Sequence, residues 1–331
     1  MTTEQAHPFD KLSPDTIVDA IESQGYLTNL SIYPLNSYEN RVYQIGLDDG
    51  GYLIAKFYRP ARWSQAQILE EHTFTNALSA ADISVVAPLA NTQGETLFEH
   101  DGFFFALFNR MGGYAPETDN EDVIFNLGRL LGRMHLAAST VKFEHRLTLN
   151  AERLGHQSVS YLLENDFIPL ELIKSYEAIS QQLMDLVDAQ IKDIPNISYQ
   201  AIHGDFHIGN ILLRGEDAFL VDFDDCIQGP KIQDIWMLLS GDRQHKTLQL
   251  NNFIDGYYEF NDLNLAELRL IEPLRTLRII HYTRWLASRW NDPAFPKAFP
   301  WFNTIRYWSE HILELKEQLS ALNEPPIDLM R

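Results

Sequence analysis

The sequence predicts an α+β chain in two lobes, a small antiparallel sheet carrying one helix and then a larger, mostly helical part. Three observations predict it. Up to about residue 110, apolar residues come in short runs rich in β-branched and aromatic side chains, separated by Gly, Asp and Pro. The Gly, Pro and polar residues of "MGGYAPETDN", 111–120, then mark a linker, and beyond it Val123, Leu127, Leu130, Leu131 and Met134 recur at the helical spacing of three and four. One hairpin signal, "ILLRGEDAFLV" at 211–221, returns inside the helical part. The expected division is 1–110, a linker at 111–120, and 121–331.

In order along the chain, a short helix comes first: Ser13 is its N-cap, Pro14 its first residue, Ile17, Val18 and Ile21 its apolar face, and Gly25 its stop. "LTNLSIYPL", "NRVYQIGL" and "YLIAKFY" read as strands, with Asp48-Asp49-Gly50-Gly51 turning between the last two. Ser64 caps a helix running to about Ala80, with Ile68, Leu69, Phe74 and Leu78 apolar. "SVVAPLA" and "GETLFEHDGFFFALFNR" complete the sheet. Gly128 and Gly132 permit close helix packing in the second part, which the Pro-rich "NDPAFPKAFPWF" interrupts. In the hairpin, a turn centred on Glu216 sets Ile211 opposite Val221 and Asn210 opposite Asp222, about 5 Å apart at the open end.

With 331 residues, 45% of them hydrophobic, the chain can bury a substantial core, in one large domain or two of ordinary size. Its net charge of −20 argues against nucleic acid, whose phosphates need a basic footprint. The single cysteine, Cys226, excludes an internal disulfide and reads as an inert small hydrophobe. "MTTEQAHPFDKL" lacks both a basic stretch and an apolar run, and no segment approaches the ~20 apolar residues of a membrane span. We expect a cytoplasmic monomer with no membrane partner, for which the sequons at Asn29 and Asn196 mean nothing.

Chemistry concentrates at three places. Lys56 lies among apolar and aromatic residues on a strand expected to be interior, so it needs an acidic partner; fourteen and fifteen residues on, the helix offers Glu70 and Glu71. A strand lysine held by a helix glutamate orients ATP phosphates. The loop between the first two strands, "LNSYENRVYQI", stands where a nucleotide-covering loop belongs, with Asn36, Ser37, Tyr38 and Asn40 as phosphate donors. The strongest signal is Asp205, Asn210 and Asp222 in "HGDFHIGNILLRGEDAFLVDFDD", two carboxylates and an amide oxygen at one hairpin end. That inventory suits a hard cation plus a proton acceptor: Asn210 and Asp222 for Mg2+, Asp205 for the proton of an incoming hydroxyl. His203 and His207 are not a zinc pair, because Gly204 breaks the helix their spacing would need; His203 holds the loop.

The stretches "HGDFHIGNILL" and "LVDFDD" resemble the catalytic loop and metal-binding stretch of the protein kinase-like superfamily that includes aminoglycoside phosphotransferases and choline kinases. The resemblance implies a two-lobed protein kinase-like fold. It implies ATP as co-substrate and Mg2+ as cofactor, Asp205 as catalytic aspartate, Asn210 and Asp222 at the magnesium, Lys56 and Glu71 as the lysine–glutamate pair, and Asp234 supporting the catalytic loop from behind. A kinase hinge then offers the backbone of Phe108, Asn109, Arg110 and Met111 to adenine. "LNSYENRVYQ", "AKFYRPARW", "QILEEHTF", "QDIWMLLSGD", "LIEPLR" and "DPAFPKAFPW" extend the likeness to a family of bacterial stress-response serine/threonine kinases, which implies protein substrates bearing Ser or Thr. Arg275, Arg278, Arg284 and Arg289, with exposed aromatics in "DPAFPKAFPWF", are the expected docking surface.

Two positions depart from the protein-kinase pattern. Gly204 replaces the arginine of H-R-D and Asp224 the glycine of D-F-G; with no A-P-E either, control by activation-loop phosphorylation is not expected. A small-molecule kinase for choline, homoserine or an aminoglycoside would share every catalytic residue, and an acidic chain suits a cationic substrate. A metallophosphoesterase would need an upstream D-x-H and a G-N-H that do not occur. Retention of the lysine, the base and both metal ligands speaks against a silent ATP-binding scaffold.

Overall fold

A computed structural model describes residues 7–329; the first half of "MTTEQAHPFDKL" lies outside it. The chain groups into two compact units. One comprises the residues up to Pro116, Ala137–Arg146 and His207–Cys226, the other Glu117–Leu136, Leu147–Phe206 and Ile227 onward. This differs from the division expected at 111–120 in two segments, 137–146 and 207–226, which fold with the first unit. The reason is hydrogen bonding. Tyr114 exchanges backbone bonds with Leu213, and Leu220 bonds to Ser84 and Val86, so the hairpin is sewn to the first unit along both flanks.

In the first unit, helix α1 (Pro14–Glu22) starts where Ser13 accepts from the Thr16 N–H, with Pro14 at a position that has no donor to lose. The sheet consists of β1 (Thr28–Pro34), β2 (Arg41–Leu47), β3 (Tyr52–Phe57), β4 (Phe98–His100) and β5 (Phe103–Asn109), antiparallel throughout, in the order β1-β2-β3-β5-β4. One face buries Ile45, Leu53, Ala55, Phe57, Phe105 and Leu107 against Ile17 and Ile21 of α1. Helix α2 (Gln65–Ala80) begins in a capping box, Ser64 accepting from the Gln67 backbone while the Gln67 side chain returns to the Ser64 N–H. The segment "SVVAPLA" forms no strand, only single bridges from Val85 to Leu220 and from Pro88 to Phe108; Pro88 has no N–H to continue a ladder.

The second unit holds α3 (Glu121–Ala138) up to Leu136, α4 (Gln157–Glu164), α5 (Ile173–Lys192) and strand β6 (Tyr199–Ile202). The first unit's hairpin follows as β7 (Ile211–Arg214) and β8 (Asp217–Leu220). The second unit resumes with β9 (Ile227–Pro230), which pairs with β6, then α6 (Ile232–Trp236), α7 (Arg243–Tyr257), α8 (Ile271–Ser288), α9 (Ala294–Ala298) and α10 (Ile305–Asn323). Its core joins Tyr176, Leu183, Leu277, Ile280, Trp308 and Leu315. Phe295 and Phe302 enter that core at 0% and 2% exposure, which corrects the expectation of an exposed aromatic surface at 292–302; Trp301 alone of these three stays half-exposed. The short helix Ala294–Ala298, opening at Pro293, carries Phe295 on its buried side. At Gly128 an added Cβ would stand 2.0 Å from the Phe253 carbonyl oxygen, so α3 and α7 cross in backbone contact. Among the described residues no helix is long and apolar enough to cross a membrane.

The hairpin register also needs correcting. Ile211 pairs with Leu220 and Arg214 with Asp217, leaving a two-residue turn, Gly215-Glu216, with Gly215 at φ +65°. Asn210 therefore stands opposite Val221, whose N–H bonds its carbonyl, and Asp222 lies one residue farther on. It leaves the hairpin in the left-handed region, φ 59°, which turns its carboxylate out of the ladder.

Candidate active site

In the first unit the site is built on a buried charge cluster. Lys56 on β3 pairs with Val42 of β2 and Ala106 of β5, so the strand is interior and the side chain cannot escape to water. Its Nζ lies 3.3 Å from Glu71 Oε1 on α2, 3.3 Å from Asp222 Oδ1 and 3.0 Å from Asp224 Oδ1. Burial disfavours the ammonium, but Asp224, Glu71 and Asp222 outweigh it and hold the lysine pKa well above its ordinary value.

Three carboxylates need more than one cation. Arg146, its side chain fully buried, donates from Nη2 to Glu71 Oε2 at 2.8 Å, from Nη1 to the Asp224 carbonyl at 2.6 Å and from Nε to the Gln67 carbonyl at 2.8 Å. Arg62, just beyond β3, clasps Asp224 and reaches Asp225 at 2.5 Å. Burial opposes ionisation of Asp224, yet Arg62, Lys56 and Arg146 hold its carboxyl well below the usual range. Phe223 packs edge-on against Phe74 of α2 at 5.7 Å, tying "DFDD" to the glutamate helix.

The two glutamates divide cleanly. Glu71 meets Lys56, while Glu70 accepts the backbone N–H groups of Glu144, His145 and Arg146 and so fixes the loop that delivers Arg146. In the loop after β1, Asn36 and Tyr38 are exposed and Ser37 donates to the Asn40 carbonyl. Asn40 is buried, its side-chain oxygen accepting from the Arg59 N–H; it ties the loop to the end of β3 instead of presenting a free group. Phe108 and Asn109 end β5, Arg110 bonds Gln44 at 2.7 Å, and Met111 is half-buried. Asn210 and the half-exposed Asp222 offer an amide oxygen and a carboxylate, hard donors of the kind Mg2+ takes alongside phosphate oxygens and water.

The second unit carries Asp205. Behind it stands Asp234 of α6, fully buried, whose carboxylate accepts from the His203 and Gly204 N–H groups at 2.9 and 2.8 Å and meets His135 Nε2 at 3.1 Å. His135 Nδ1 lies 2.9 Å from the Tyr257 hydroxyl. Burial pushes the His135 pKa down, against the pull of Asp234. Gly204 adopts φ +84° with its N–H on Asp234, which explains why glycine replaces the arginine of H-R-D here. The buried His203 accepts the Asp205 N–H at Nδ1 over 3.3 Å, holding the loop as expected. Arg278 of α8 reaches Asp205 Oδ1 with Nη1 at 2.8 Å.

Arg62, Arg146 and His135 went unrecognised in the sequence. The count of acids beside one lysine was the available signal for the arginines, since buried like charges demand counter-ions. Nothing marked His135, whose partners are 99 and 122 residues away. Of the expected docking arginines, Arg275 lies over Trp236 and beside Glu272, and Arg284 lies over Tyr161.

Comparison with known proteins gives the context for this geometry. Residues 31–271 match the model of the phosphotransferase enzyme family. The chain is 42% identical over 324 residues to stress response kinase A of Escherichia coli strain K12, covering 98% of both, and 40% identical over 326 residues to serine/threonine protein kinase RdoA of Salmonella typhimurium, again covering 98% of both. Among solved structures it superposes on amicoumacin kinase hAmiN bound to AMP-PNP and Ca2+ with a TM-score of 0.72 (22% identity, 91% of each chain). It superposes on a microcompartment-associated aminopropanol kinase with a TM-score of 0.71 (20% identity, 93% of this chain and 98% of that one). A buried lysine–glutamate pair under a "DFDD" turn, on this fold and with these relatives, makes the chain a phosphotransferase: it belongs to the phosphotransferase enzyme family, among the stress response kinases A.

Proposed function

We propose that the chain is an ATP- and Mg2+-dependent serine/threonine protein kinase, working as a monomer in the bacterial cytoplasm under stress. The observation that carries this reading is the buried Lys56–Glu71 pair with Asp222 on the same ammonium; the relatives' names, stress response kinase and serine/threonine protein kinase, give the acceptor class. Phosphoryl transfer asks little covalent chemistry of a protein and much positioning. Lys56, pre-set by Glu71 and Arg146, orients the ATP phosphates. Asn36, Ser37 and Tyr38 cover them, and the backbone at 108–111 receives adenine. Asn210 and Asp222 hold Mg2+, which when bound neutralises charge on the β- and γ-phosphates. Asp205 takes the proton of the serine or threonine hydroxyl, with its loop pinned by Asp234.

A small-molecule kinase is the competing reading, favoured by structural neighbours that act on amicoumacin and aminopropanol. To decide, the purified protein is given MgATP with casein or myelin basic protein, and separately with choline, homoserine and an aminoglycoside. We expect phosphoserine or phosphothreonine on protein, reduced at least ~10²-fold in Asp205→Asn with MgATP binding kept. Efficient turnover of a small molecule with none on protein would sink the protein-kinase reading; undiminished turnover in the variant would remove Asp205 from its role.

A further inference from the structure

The cation beside Asp205 has no place in the scheme above. Arg278 sits in the middle of α8, between Leu277 and Ile280, both fully buried in the core of the second unit, so its backbone is fixed. Its own side chain is 42% exposed and puts Nη1 2.8 Å from Asp205 Oδ1. An ion pair this open contributes little to stability, and its position asks for another explanation. A hydroxyl that gives its proton to Asp205 must come within about 2.6–3.2 Å of that carboxylate, so the acceptor oxygen is received next to the guanidinium. Arginine carries five N–H donors in a fixed fork and stays protonated; pairing by charge with Asp205 leaves those donors to present. The phosphoryl group in transit spreads negative charge over three oxygens, in a chain of net charge −20.

We propose that Arg278 is the acceptor-side cation of the reaction, steering the Asp205 carboxylate through the ion pair at Nη1 and meeting the transferring phosphoryl group with its N–H groups. This rests on the reading of Asp205 as proton acceptor. In the step itself the acceptor O–H bond breaks and its proton goes to Asp205. The acceptor oxygen forms the new bond to phosphorus, and the bond from phosphorus to the ADP oxygen breaks, ADP keeping the electron pair. Arg278 exchanges no proton. Arg275 and Arg284, on the same helix, lie instead against Trp236 and Tyr161.

The test compares Arg278→Ala, Arg278→Gln and Arg278→Lys with wild type in the full chain, after thermal melts confirm folding. The acceptor is whichever the wild type phosphorylates, protein or small molecule, and water, read as ATP hydrolysis, if neither is turned over. Expected is a loss of about 10²–10³-fold in kcat for Ala and Gln, MgATP affinity within about twofold, and at least tenfold recovery by Lys, which restores charge without the fork. Three outcomes overturn the proposal: kcat within about threefold of wild type in Ala and Gln; Lys no better than Gln; or a raised acceptor KM with kcat unchanged, which makes Arg278 a docking residue. Asp205→Asn, run in parallel, separates the readings. Its full activity sinks the base assignment, whereas its inactivity beside an active Arg278→Ala sinks only the arginine.

Discussion

Glu70 and Glu71 are identical in chemistry and adjacent in sequence, yet one caps a loop and the other holds the lysine, because successive helix positions point about 100° apart. Arg146 connects their jobs: Glu70 fixes its backbone and Glu71 receives its side chain. Replacing it by Met keeps the volume but leaves a buried carboxylate short of a partner. We expect Arg146→Met to cost about 3–5 kcal/mol in urea unfolding at pH 7; a loss under about 1 kcal/mol would show that Lys56 suffices for Glu71. At this scale the sequence was legible where chemistry is local. Lys56 and "DFDD" announce themselves by charge in an apolar setting, and Asp205 by its Gly-broken turn. Arg146 does not, since an arginine in a polar stretch looks alike whether it ends in water or on a carboxylate 75 residues away, and Arg278 reads as a docking residue, with no sign of its carboxylate partner 73 residues away.

Elements were read well where period and caps agree. Both Ser13 and Ser64 cap the helices expected of them, and the three strands around Lys56 fall where the β-branched runs put them. The hairpin slipped by one residue because the choice between a two- and a three-residue turn depends on the sign of φ at Gly215, which composition does not reveal. The α3–α7 crossing is a second feature set by backbone proximity. Gly128 of α3 faces the Phe253 carbonyl, and Gly256 of α7 faces that of Phe125, with 2.0 and 2.1 Å left for a Cβ. Gly128→Ala and Gly256→Ala should each destabilise by roughly 1–3 kcal/mol, the usual range for overpacking. The double variant should cost less than the sum, because either methyl alone forces the helices apart. Additive losses in denaturant midpoints would contradict a shared contact.

For the molecule as a whole, buried imidazoles contribute to the acid response. His72 of α2 is held between the Tyr58 and Thr96 hydroxyls at 2.8 Å each, and burial, aided by Lys56 and Arg146, pushes its pKa down to about 3. Unfolded histidine titrates near 6.5. Between these values the unfolded chain binds a proton that the folded chain refuses, so stability is full above about pH 6.5 and falls as pH drops, by roughly 2 kcal/mol at pH 5 from this one group. His135 is displaced in the same direction. Asp224, held low, adds its loss only below about pH 3.9, where its unfolded carboxyl titrates. Urea midpoints should therefore decline from pH 6.5, against the opposing contribution of Glu267, whose carboxyl burial pushes up, and less steeply in His72→Gln; identical profiles for wild type and variant from pH 7 to 5 would refute this. The division into units was legible only in outline, because it follows backbone bonds from Tyr114 and Ser84 to the hairpin that no local pattern encodes.

Cys226, finally, is 1% exposed, and burial drives its thiol pKa far upward. Maleimides and other thiolate-seeking reagents have almost no thiolate to attack there. For labelling, the natural chain is already silent: a single cysteine introduced at the exposed Asn36 carries a fluorophore at one defined address on the loop after β1, with no native residue to remove first.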